Sequence, residues 1–161
     1  MKIKRIAEKE FEDNKFLLSQ LENPYIKQRA ESCLKWYIEN AVKNKYYFYI
    51  LSTFTIVCPL ISTIILCASA ESFCIKIAST TATAISAIAA ALLNLLDAKR
   101  KWELYRSQAE ILKTELTLQD CEETKRSDRE FLETMEDSMK KTHEYWVEPF
   151  KRVHYREDPG R

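Results

Sequence analysis

The chain has 161 residues, with 25 Lys and Arg against 24 Asp and Glu, a net charge of +1, and 46% hydrophobic residues. Interleaved acids and bases at this balance leave no basic block suited to a polyanion, so nucleic acid is not an expected partner. The single glycine, Gly160, excludes the glycine-rich loops that bring backbone amides against phosphates, and there is no G-x-S-x-G or H-E-x-x-H run, so neither catalysis nor a cofactor is expected.

In chain order, Ile3, Ile6, Leu17, Leu18 and Leu21 predict an amphipathic helix over residues 1–22. Asn23 followed by Pro24 is a helix start, because Asn caps well and proline at the first helical position gives up an N–H that would have been unpaired anyway. The helix that begins there is expected to run over 24–70. Its second part, Tyr46 to Ala70, holds 25 residues without a charge. At about 1.5 Å per residue, roughly 20 apolar residues cross a hydrocarbon layer roughly 30 Å thick, so 46–70 qualifies as a membrane span. The mostly polar residues ahead of it are unlike a cleaved signal peptide, and the span is expected to be retained. Pro59 lies in its middle and removes a backbone hydrogen bond; it reads either as a tolerated kink or as a gating hinge.

A tight hairpin at Glu71 to Lys76 leads to a second uncharged stretch, Ile77 to Leu96, of 20 residues. This span is expected to continue through Asp97 as one helix over 77–118, carrying Trp102, Tyr105, Ala109, Leu112 and Leu116 at spacings of three and four. Ser127 and Glu130 form a capping box that opens a last helix over 128–148. Phe131, Met135, Met139, Tyr145 and Trp146 are its apolar side, Pro149 its end, and 149–161 a polar tail. The expected fold is all-α: a two-span transmembrane helical hairpin whose long helices extend into a cytosolic helical bundle, assembled as a homo-oligomer.

Basic residues give the orientation. Lys35, Lys43 and Lys45 precede the first span and Lys99, Arg100, Lys101 and Arg106 follow the second, whereas the connecting loop holds only Lys76, which places both termini in the cytoplasm. Tyr46, Tyr47, Tyr49 and Trp102 then sit at headgroup level. The five cysteines have no C-x-x-C pair and are read as small apolar residues, and His143 and His154 lack partners at metal-ligand spacing.

The second span is only weakly hydrophobic. At 100° per residue, Ser79, Thr83, Ser86, Ala90 and Asp97 fall within about 40° of one line, with Asn94 nearby. Two readings follow. The stripe packs against the first span, whose Thr55, Ser62 and Ser69 make a polar line of their own. Alternatively it lines a pore in an oligomer, the hydroxyls replacing part of the hydration of inorganic ions, with Asn94 and Asp97 as polar rings at the cytosolic mouth. Arg106 and Glu110 are spaced for a helix-surface ion pair.

Tyr25-x-x-x-Arg29, Trp36-Tyr37, Lys43-Asn44-Lys45, a proline in the first span, Lys101-Trp102-x-x-Tyr105-Arg106-x-x-Ala109-Glu110-x-Leu112, and finally Phe131 and Trp146 together resemble the SLATT domain family. The likeness covers most of residues 25–148, and its most specific part is the run that follows the second span. The resemblance implies a multi-pass protein of the bacterial inner (plasma) membrane, a pore-forming effector of conflict systems whose partners are the lipid bilayer, further copies of itself and an unidentified cytosolic activator. It carries over no catalytic residue. The rival reading is a non-conducting membrane-anchored scaffold whose cytosolic bundle docks a partner. An entirely soluble bundle is disfavoured, since 161 residues leave little protein to surround two uncharged helices.

Overall fold

The structure, a computed structural model, describes residues 2–68, 73–120 and 127–155. Its elements are all helical: α1 (Lys2–Asn14), a 3-10 turn (Lys15–Gln20), α2 (Pro24–Ala68), α3 (Phe73–Leu96), α4 (Ala98–Asp120) and α5 (Asp128–Tyr155). The starts follow from the residues. Asn23 Oδ1 accepts from the Tyr25 amide at 3.1 Å and caps α2 just ahead of Pro24. At α5 the Ser127 amide donates to Glu130 Oε2 at 3.2 Å and the Glu130 amide to Ser127 Oγ at 3.4 Å, a reciprocal capping box. α2 runs 45 residues with Pro59 inside it.

Three elements differ from the sequence expectations. The first helix ends at Asn14 and tightens into a 3-10 turn, which has about 3.0 residues per turn and rotates the later side chains onto another face. Ala7 and Phe11 are buried and Ile6 is exposed, while Leu18 and Leu21 are buried as expected. Asp97, at φ 45°, separates α3 from α4 where one helix was expected. The hydrogen bonds Asp97 N to Leu93 O and Lys101 N to Asp97 O carry the backbone across the break. Finally, α5 continues through Pro149 to Tyr155, because a proline deletes one bond of the ladder and leaves the neighbouring ones to hold the turn. The hairpin loop at Glu71, the Ser69 hydroxyl, Cys121, the last residues of the polar tail and the side chain of Trp146 lie outside the described residues.

The chain forms two compact units, Met1–Glu39 with Leu104–Arg161, and Asn40–Glu103. In the first, Phe131, Leu18, Leu34, Ile38 and Leu116 are hidden from solvent, with Ala30 and Ala109 fully buried among them. The expected α4 stripe of Tyr105, Ala109, Leu112 and Leu116 is the buried one. Asn23 meets Asp128, Arg29 meets Glu136, and Tyr37 meets Thr142, so α2 and α5 run parallel along this unit.

In the second unit α2 and α3 run antiparallel, with Ser62 against Ser79 and Thr55 against Ser86. The buried side chains are small: Ala41, Ser62, Ser79, Ser86, Ala89 and Ala98. The large ones face outward, among them Ile56 at 62% and Leu95 at 79% exposure. The 24 residues of α3 span about 36 Å at the usual helical rise. Both helices are long and apolar enough to cross a membrane, and only 6% of the most apolar window of α2 is buried.

Candidate functional site

The hydroxyl groups of α2 and α3 form a seam inside the second unit. Ser62 Oγ lies 2.5 Å from Ser79 Oγ, donates to the Ser79 carbonyl at 3.1 Å, and is 3.2 Å from Thr83 Oγ1. Thr83 Oγ1 also donates to the Ser79 carbonyl at 3.0 Å. Only small residues at these positions let two helices approach closely enough for hydroxyl-to-backbone bonds across the contact.

One bond of the seam answers a defect elsewhere. Pro59 has no N–H, so the carbonyl of Thr55, four residues earlier, loses its partner within α2. Ser86 Oγ of α3 donates to that carbonyl at 3.0 Å. Thr53, Thr80 and Thr81, exposed on the outer surface, each donate to their own i−4 carbonyl at 2.8 Å. Hydroxyls that find a partner in this way cost little in an apolar surrounding.

The predicted stripe is thus divided. Ser79 and Ser86 are buried against α2, Ala90 is half-buried, and Thr83, Asn94 and Asp97 are exposed. Pro59 lies on the same side of α2 as the seam, four residues after Thr55 and three before Ser62. At the other end of the unit, Trp102 lies 6.3 Å from Phe48 and 6.1 Å from Tyr49, with Lys45 Nζ 5.6 Å from its ring centroid.

In the first unit the motif residues join helices. Arg29 Nε and Nη2 both donate to Glu136 Oε1, at 3.1 and 2.9 Å. The Glu136 hydrogen bond raises the Arg29 pKa and keeps the guanidinium charged. Burial pushes the Cys33 thiol up, against the opposing pull of Arg29, and Cys33 Sγ sits 3.4 Å from Met139 Sδ. Burial likewise pushes the Tyr37 phenol up, opposed by its contact with Thr142 at 3.4 Å. Tyr105 packs edge-on to Trp36 at 5.3 Å.

Arg106 pairs with Glu110 at 2.8 Å, as the spacing predicts, and also with Glu10 of α1. Lys113 bridges the same two carboxylates, at 3.1 Å to Glu110 and 3.7 Å to Glu10. Glu10 is the member that sequence reasoning missed. It is next to Phe11, which with Ala7 makes the buried face of α1, a face passed over in favour of Ile3 and Ile6. On the other side of α4, a cavity of about 10 Å³ is lined by Tyr37, Gln108, Phe131, Met135 and Ser138. Gln108 Oε1 is buried with no hydrogen-bond partner among the described residues, and the space suits one water. No cluster of three or more His, Cys, Asp or Glu able to hold a metal occurs among the described residues.

Residues 32–118 match the family described as "Protein of unknown function (DUF4231)", and the chain belongs to that family. The matched region holds most of α2, the whole of α3 and nearly all of α4, and therefore the seam, Pro59 and the Trp102 to Leu112 motif, while Arg29 and α5 lie outside it. No curated protein and no solved structure matches the chain.

Proposed function

We propose that the protein is a multi-pass protein of the bacterial inner (plasma) membrane, with α2 and α3 as a transmembrane hairpin and both termini cytoplasmic. One observation carries this reading: the second unit buries serine and alanine and leaves Ile56, Leu60, Ile64, Ile88 and Leu95 outside. Each large aliphatic side chain left in water forfeits about 1.5–3 kcal/mol, a loss that hydrocarbon removes. The seam agrees, since hydrocarbon offers no water to an unpaired hydroxyl or carbonyl.

Within that setting the protein acts as a non-conducting, membrane-anchored scaffold whose cytoplasmic unit docks a partner, in the stress or defence context that the SLATT resemblance implies. Ser79 and Ser86 spend their hydrogen bonds on α2 within one copy, and the first unit presents the aromatic side chains of Tyr25 and Phe16 to solvent. A second reading, a pore for inorganic ions, rests on Thr83, Asn94 and Asp97, polar and exposed along α3 and at its end. Ion flux into liposomes separates the two. A reconstituted protein that passes no ions supports the scaffold; flux abolished by Asn94→Leu or Asp97→Asn establishes the pore and overturns it. Recovery of the native protein in a carbonate-washed aqueous fraction overturns the membrane assignment itself.

A further inference from the structure

We propose that the region where Trp102 meets Lys45 binds the phosphate of an anionic phospholipid headgroup, a site that rests on the membrane reading above. The Trp102 ring touches Phe48, Tyr49 and Lys45, and so fixes the stretch 43–49 of α2 beside the stretch 99–102 of α4 within one compact unit. The first stretch brings Lys43 and Lys45 and no acid; the second brings Lys99, Arg100 and Lys101, flanked by Asp97 and Glu103. Lys99 is paired with Glu103 at 3.9 Å. Lys43 has no ion-pair partner among the described residues, and the recorded contact of Lys45 is with the Trp102 ring rather than a carboxylate.

An ammonium held against an indole, with no carboxylate to neutralise it, attracts a phosphate strongly at a membrane surface. The neighbouring side chains choose the source of that phosphate. Tyr46, Tyr47 and Tyr49 are exposed, and Ile50, Phe54, Leu95 and Leu96, exposed in the same unit, offer acyl chains an apolar surface that free phosphate cannot use. Attraction of this kind amounts to about fivefold in affinity for each lysine.

The test is native mass spectrometry of the full chain released from neutral detergent with phosphatidylglycerol or phosphatidylcholine added. Phosphatidylglycerol is expected to be retained preferentially, and the double variant Lys43→Gln/Lys45→Gln to lose about twenty-fivefold of that preference, while Lys4→Gln/Lys9→Gln in the first unit retains it. Equal retention of the two lipids, an unaltered double variant, or displacement by inorganic phosphate at the lipid's own concentration each overturns the site. Those outcomes leave the membrane assignment standing, because that assignment fails on the aqueous fraction instead.

Discussion

The side chains hidden in the unit built from α1, α5 and the outer parts of α2 and α4 are Phe131, Leu18, Leu34, Ile38 and Leu116; those hidden between α2 and α3 are Ser62, Ser79, Ser86 and Ala89. The first arrangement is what water demands, since burying large apolar surface is the main favourable term in folding there. The second suits the proposed membrane setting, where hydrophobic side chains gain nothing by hiding and helices associate through close packing and internal hydrogen bonds. One 45-residue helix, α2, contributes to both units and changes its rule of burial along its length.

The contrast breaks most visibly at its extremes. Phe131→Ala in the first unit is expected to cost about 3–5 kcal/mol, through lost burial and a residual cavity, and to lower the denaturation midpoint without altering membrane recovery. Ile56→Arg in the second unit should cost about 3 kcal/mol of insertion, measured as lost integration into microsomes, whereas in a soluble protein so exposed a site would tolerate arginine without loss.

Ser86→Ala leaves the Thr55 carbonyl unpaired and is expected to destabilise the hairpin by about 1 kcal/mol in detergent unfolding. The background Pro59→Ala restores the intrahelical donor, so the same serine change should there cost close to nothing. A double-mutant cycle showing no coupling would remove Ser86 from that role. Asp97→Gly relieves the positive φ and should stabilise the α3–α4 junction by about 1 kcal/mol, read as a raised melting temperature.

The smallest effect is on pH. Cys33 and Tyr37 have pKa values raised by burial, so the folded chain keeps both neutral after the unfolded chain has begun to ionise. Their stabilising contribution is complete below the ordinary thiol range and is lost as pH rises through the raised values. The first unit should therefore unfold more readily in alkali, and Cys33→Ala with Tyr37→Phe should flatten that dependence. Maleimide should label the exposed Cys74, outside both spans, well before Cys33.

Much of this was legible in the residues. The charge-free stretches marked both apolar helices, the Asn23-Pro24 and Ser127/Glu130 signals located two helix starts, and the spacing of Tyr105, Ala109, Leu112 and Leu116 gave the buried face of α4. Periodicity failed where the backbone left the ideal helix, at Asn14 and Asp97, because a change of pitch or a single positive φ moves every later side chain without altering composition. The stripe of Ser79 and Ser86 and the facing line of Thr55 and Ser62 were both visible, but the sequence left open whether the stripe met that line or water, since an inward-facing hydroxyl looks the same in either case.

By itself the sequence determined which segments are helical and which two are apolar enough to leave water, because both depend on local propensity and on solvent transfer residue by residue. Tertiary structure alone decided that Glu10 joins Arg106 and Lys113, that Arg29 reaches Glu136, and that Ser86 supplies the bond Pro59 withholds. These pairings depend on helix register and rotation across sequence separations of 31 to 107 residues. Spacing along the chain carries no information on that, since the energy of a hydrogen bond is set by a few tenths of an ångström between groups that folding alone brings together.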